Sequence, residues 1–217
     1  FAIWDYSANF WDYFYYVPNF SYMKENYLMY EEIGVHTVLT QMAPNEGNYY
    51  ESQIHTYLSA HLLWNPHQNV NEIIERFNNL FFTPKYATYV NEYNDLFLNR
   101  FAYLDSTKDG GFHATTGDDY NYKSTATFPQ AMLQKAIDLL HGAIDEVKKD
   151  ENLTVADKEK IVERLTGVLI TPQWIMYDLG YIVEESQFKV FAKDMFDNLE
   201  LLNINLVREG FKPNYYV

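Results

Sequence analysis

Four carboxylates, Asp5, Asp12, Glu46 and Glu51, stand among a dense run of rings at the start of the chain. Thirteen of the first thirty residues are aromatic, against 18% over all 217 residues. The run opens Phe1-Ala2-Ile3-Trp4-Asp5-Tyr6 and continues through Phe10, Trp11 and Tyr13, interleaved with Asn9, Asp12 and Asn19. Flat rings stack on the apolar CH faces of a sugar, and carboxylates and amides bond its hydroxyls. Two carboxylates flanking a glycosidic bond would add hydrolysis, at about 5–5.5 Å for retention or roughly 6.5–9.5 Å for inversion. The catalytic candidates are Asp5 and Glu46, and the substrate-binding candidates are Trp4, Asp5, Tyr6, Asn9, Trp11 and Gln41. The competing assignments are structural. The rings can pack a core, Asp5 can anchor a loop, and Glu46 sits in the turn sequence Pro44-Asn45-Glu46-Gly47.

Other chemistries find no footing. Cysteine is absent, which excludes disulfides and thiolate metal sites. The six histidines make no metal spacing with a partnering Glu. The acids Asp109, Asp118 and Asp119 lack the alternating ligands and terminal Glu of a calcium-binding hand. No glycine-rich phosphate loop or Gly-x-Ser-x-Gly elbow occurs, so no cofactor is expected. A net charge of -14 argues against nucleic acid and anionic membrane surfaces. No apolar run approaches the roughly 20 residues that span a bilayer. The chain opens on an apolar, strand-like run without an initiator Met, so a piece of a longer polypeptide is expected.

The elements that must position these residues begin with a strand over 1–6, an aromatic loop over 7–20 and a helix over 21–33. Gly34 suits a left-handed exit from that helix, and 35–39 reads as a buried strand. This is a βαβ unit, the building block of parallel sheets and of the (β/α)8 barrel, whose active face is formed where strands end. Asp5 and Gln41 both stand near such ends. From about residue 50 the pattern turns helical: 52–64, 69–82, a further helix opened by Thr83-Pro84, then 130–147, 154–171 and 186–202. Trp64 falls on an apolar helix face and reads as core. Thr127-Phe128-Pro129-Gln130 reads as a capping box, and Thr154 as a helix cap. Pro172 is expected to kink or break its helix, with 174–183 resuming it. The stretch 105–126 carries no period and is a long loop. The expected organisation is a barrel end over 1–50 and an all-α antiparallel helical domain over 51–217.

The order of these pieces resembles a bacterial family. It is carried by Ile3-Trp4-Asp5-Tyr6 with Asn9-Phe10, by Val17-Pro18-Asn19-Phe20, and by Gly34-Val35-His36-Thr37-Val38 running to Gln41. Leu58 to Pro66 and the helix around Tyr86 to Tyr93 complete the set. Together they look like the C-terminal half of the glycoside-hydrolase-like proteins classed as domain of unknown function 4838, which are similar to alpha-glucuronidases. The resemblance implies a mainly α chain holding the last two strand/helix units of a (β/α)8 barrel followed by the helical domain. It also implies an exported bacterial protein of polysaccharide degradation, with a glycan and the upstream barrel strands as partners and a homodimer through the helical part. The general acid of related barrels comes from mid-barrel strands, so catalysis by this chain alone is expected to be incomplete. The rival expectation is a non-catalytic glycan-binding or structural helical module, of the kind built from helical repeats. It predicts helix pairs from the start and no βαβ unit, and no fixed repeat length is present.

Overall fold

The computed structural model describes residues 1–10, 12–43, 50–107, 123–204 and 206–207. Strand β1 (Ala2–Tyr6) is followed by helix α1 (Phe20–Glu32) and strand β2 (Thr37–Gln41). The two strands pair in parallel, with Ala2 opposite Thr37 and Tyr6 opposite Gln41. The βαβ unit is therefore real. Its second strand lies two residues later than the apolar pattern placed it, because Val35 closes the helix exit by bonding Tyr30 O. Gly34 makes that turn at φ 72°, a left-handed value that glycine adopts without a Cβ clash.

The rest is helical: α2 (Tyr50–Trp64), α3 (Val70–Thr107), α4 (Gln130–Lys149), α5 (Val155–Asp178) and α6 (Glu185–Leu201). The chain is mainly α, with its two short strands at the start. Helix α3 is two helices meeting at Thr83, whose backbone is non-helical at φ 65° and ψ 154°. The residue before a proline is pushed out of the α region, and Pro84 starts the second half without needing an N–H.

Helix α5 is central and packs on α2, α3, α4 and α6. Leu165 to Met176 is buried without a break, so this stretch is enclosed all round. That enclosure explains why Pro172 does not break the helix. One backbone bond is lost, but a break would expose a dozen buried residues. Instead α5 ends at Asp178, and Gly180 turns the chain at φ 65°. Thr154 caps α5 as expected, accepting from Asp157 N. The capping box at Thr127 does not form. Pro129 takes the cap position of α4 with no side-chain bond, while Thr127 is buried and its N–H donates to Ser124 Oγ. Trp64 is also not core. It lies at the end of α2 and is 90% exposed.

One hydrophobic core runs across residue 50. Phe14, Tyr15, Tyr16 and Phe20 are buried in the same cluster as α2 to α6. Tyr16 stacks on Phe97 at 4.6 Å, Phe14 meets Trp174 edge-on at 5.0 Å, and Tyr15 meets Phe128 at 5.4 Å. The aromatic opening thus divides: the rings from 14 onward anchor the sheet to the helices, and those up to Phe10 do not.

Candidate functional site

Strand residues alternate between faces, and both strands show it. Ala2, Trp4 and Tyr6 on β1 and Thr37 and Leu39 on β2 are exposed. Ile3, Asp5, Val38 and Thr40 are half-buried on the opposite face, where Val38 packs against the core and Asp5 lies within the electrostatic reach of Tyr27 and Tyr30 of α1. Helix α1 therefore covers one face of the sheet, and the other stands open.

That open face is a chain of rings. Trp4 is 62% exposed and Tyr6 43%. Their centroids are 6.3 Å apart with planes 16° from parallel. Tyr6 meets Phe10 edge-on at 5.4 Å, and Phe10 meets the buried Tyr13 at 6.0 Å. The indole N–H of Trp4 donates to Gln41 Oε1 at 2.8 Å across the pair of strands, which fixes the ring at the strands' C-terminal ends. Leu39 adds apolar surface beside it. A ring platform held by an amide oxygen, with the amide NH2 beside it as a donor, suits the apolar face and hydroxyl edge of a sugar.

Of the sequence candidates, Trp4, Tyr6 and Gln41 come together here. Asp5 does not join them. The pleat turns it to the helix-covered face, where burial raises its carboxyl above the ordinary value and its Oδ1 accepts from Tyr6 N. Asn9 is buried, with its carbonyl accepting from Asp12 N in a turn. Trp11 and Glu46 lie outside the described residues. Phe10 and Leu39 extend the platform beyond these three. The period-2 alternation along Ile3 to Tyr6 was enough to separate Asp5 from Trp4, and the same alternation on β2 would have found Leu39.

The remaining carboxylates are built into the scaffold. Asp12 is buried, and its Oδ2 accepts from Lys123 Nζ at 2.7 Å and Trp174 Nε1 at 2.9 Å, while Oδ1 accepts from Phe14 N. Burial pushes its carboxyl up to about 6 despite the opposing Lys123 charge. Lys123 lies over the Tyr15 ring and 3.5 Å from Asp178, which accepts from the Tyr15 hydroxyl. This network ties the aromatic loop to α5. Its bonded partners lie up to 163 residues apart, so no local signal marks it.

Glu51 is 5% exposed in the first turn of α2. Its Oε1 accepts from the Tyr93 hydroxyl at 3.3 Å, and its Oε2 is buried without a partner. Burial pushes its carboxyl up to about 8. One turn on, His55 contacts Glu51 O through Nδ1 and Asn19 Oδ1 through Nε2. Burial lowers it to about 4, so the imidazole is neutral. With a neutral ring, one nitrogen donates; two carbonyl-type oxygens face it, and the tautomer decides which is bonded. Glu51 and His55 are thus two neutral titratable groups inside the core, remote in character from a solvated acid–base pair.

Among the described residues, no group of three or more His, Asp or Glu could hold a metal ion, and no helix is long and apolar enough to cross a membrane. The fold and this face define a helical protein that presents a two-stranded parallel sheet with one bare, ring-lined side. Residues 1–95, from β1 into the second half of α3, match the family model described as Domain of unknown function (DUF4838). No curated protein matches the chain, and no solved structure matches it.

Proposed function

We propose that this chain is the C-terminal part of a carbohydrate-active, glycoside hydrolase-like protein, and that its open sheet face forms one side of a glycan pocket. The observation that carries this reading is the Trp4–Tyr6 platform, exposed and held by Gln41 where two parallel strands end. The helical remainder buttresses the sheet through the Asp12–Lys123–Trp174 network and the core rings.

The bare face also favours a larger assembly. Parallel sheets are normally covered on both faces, whereas here Trp4, Tyr6 and Leu39 face outward. Tyr22, Met29 and Ile33 form a further exposed apolar stripe along α1. Upstream helices of the same polypeptide would cover the α1 stripe, and upstream strands, closing a barrel, would wall the sheet face into a pocket. A homodimer through the helical part and export from a bacterium belong to the same reading.

Non-catalytic glycan binding is the second reading, and one observation favours it for this chain taken alone. Among the described residues no two carboxylates share the open face: Asp5 is behind the sheet, Asp12 is engaged and Glu51 is buried. Titration calorimetry against a panel of oligosaccharides tests the proposal. Binding that weakens roughly tenfold in Trp4→Ala, at an unchanged melting temperature, is expected from losing one stacked ring. A panel with no binder would refute it, as would full affinity in Trp4→Ala and Tyr6→Ala.

A further inference from the structure

Helices α4 and α6 both pack on α5, and a groove of about 760 Å³ lies between them. Its α4 side carries Gln130, Gln134 and His141, which the helical spacing places on one face. Its α6 side carries Gln187, Val190, Phe191 and Asp194, the i, i+3, i+4 and i+7 positions of one stripe. The connection from α5 to α6 adds Tyr181, Ile182, Val183 and Glu184, and the Tyr181 hydroxyl fixes it by donating to Phe128 O at 2.7 Å. Ile182 and Phe191 are half-buried against the core, whereas Val183 is 92% and Val190 72% exposed. The apolar surface therefore runs from the groove out over its rim. A small molecule in so open a site would be poorly enclosed, while a protein segment covers groove and rim together.

The carboxylates give the occupant its charge. Asp194 is held towards the groove by a buried amide: its Oδ2 accepts from Gln173 Nε2 at 2.7 Å, and Gln173 Oε1 accepts from Asn198 Nδ2 at 3.2 Å. Half of the Asp194 side chain stays exposed, which leaves acceptor capacity for a partner. His141 Nε2 stands 4.0 Å from the same oxygen, beyond hydrogen-bond reach. The adjacent α6 acids Glu185 and Asp197 are already paired with Lys189 and Lys193. The net charge of -14 steers a cationic partner towards the chain.

We propose that the groove between α4 and α6 docks a basic amphipathic helix of a partner protein. Apolar side chains at i, i+3, i+4 and i+7 on that helix lie against Ile182, Val183, Val190 and Phe191, and Lys or Arg on its flanks reach Glu184 and Asp194. The docked helix lies alongside α4 and α6, as neighbouring helices of a layer do. Docking here is independent of sugar binding at the open sheet face.

The test is fluorescence anisotropy titration of the full chain with labelled peptides about four helical turns long. One is a Leu–Lys peptide with every Leu on one face, the second replaces its Lys by Glu, and the third scrambles the Leu–Lys order so that no apolar face forms. The first should bind at least roughly tenfold more tightly than the other two. Glu184→Gln with Asp194→Asn, and separately Val190→Ser, should each weaken it roughly tenfold at an unchanged melting temperature, because Asn keeps the acceptor for Gln173 and Val190 is exposed. Glu32→Gln with Glu75→Gln removes the same charge from α1 and α3, away from the groove, and should leave binding within about twofold. No binding by the first peptide would overturn the proposal, as would equal binding by the acidic or scrambled one. An equal loss in the Glu32 and Glu75 variant would also overturn it, since attraction would then be a property of the whole surface.

Discussion

Replacing Glu51 by Gln should stabilise this protein at alkaline pH and leave it nearly unchanged in mild acid. Glu51 is buried in the first turn of α2, with one oxygen on the Tyr93 hydroxyl and the other unpartnered. Its folded-state carboxyl titrates at about 8 against an ordinary 4.5. A raised acid binds more protons folded than unfolded, so stability falls as pH rises from 4.5 to 8. The slope is about 1.4 kcal/mol per pH unit, roughly 5 kcal/mol over the whole window. His55 works the other way: its folded value of about 4 lies below the ordinary 6.5, so its contribution rises with pH between those values. Asp12, at about 6 against 3.8, loses stability over that lower range. Between pH 6.5 and 8 the residual Asp12 and His55 contributions are small and opposite in sign, so Glu51 dominates and the wild type should lose about 2 kcal/mol there. For a chain of this length that is a fall in melting temperature of roughly 4–8 °C. Glu51→Gln keeps the acceptor for Tyr93 and removes the ionisation, so its profile should be flat across the same window. Urea or thermal unfolding of both proteins at closely spaced pH values reads the difference. Parallel profiles from pH 6.5 to 8 would refute the claim that burial holds Glu51 neutral.

Three further substitutions probe the scaffold. Thr83→Gly should stabilise by about 1 kcal/mol in urea unfolding, since φ 65° with ψ 154° strains any residue with a Cβ and glycine returns part of the gain through backbone entropy. Asp12→Ala should cost about 3 kcal/mol by the same measurement, because Lys123 and the Trp174 indole lose their shared acceptor. Thr154→Ala should cost about 1 kcal/mol through loss of the cap on α5, seen as a lower thermal midpoint by circular dichroism.

Much of the fold was legible because its signals are local. A strand, a glycine-terminated helix and a second strand follow from apolar runs and from Gly34, and the parallel pairing follows from the crossover between them. The helices over 50–64, 130–149, 155–178 and 185–201 follow from their apolar spacing. The break at Thr83-Pro84 follows from proline sterics. Pro172 carries the same local signal and gives the opposite outcome. The difference is enclosure: the residues on both sides of Pro172 are buried against four helices, and packing outweighs one lost bond. Trp64 failed in the reverse sense. It continues an apolar stripe, but α2 ends there and nothing covers it.

The candidate site divides in the same way. That rings and amides gather at the start of the chain is a property of composition, and the alternation of β1 already assigns Trp4 and Tyr6 to one face and Asp5 to the other. Which of those faces meets solvent is a tertiary fact, decided by where α1 packs. So is the fate of the carboxylates. Asp12 and Glu51 read alike in the sequence, as acids among rings. Lys123 and Trp174 come from more than 100 residues away to bond Asp12, while Tyr93 bonds the Glu51 carboxyl. Contacts of that span depend on the path of the whole chain. The local residue pattern determined the elements and the stock of chemical groups; the packing of distant helices decided which groups remain available to a ligand.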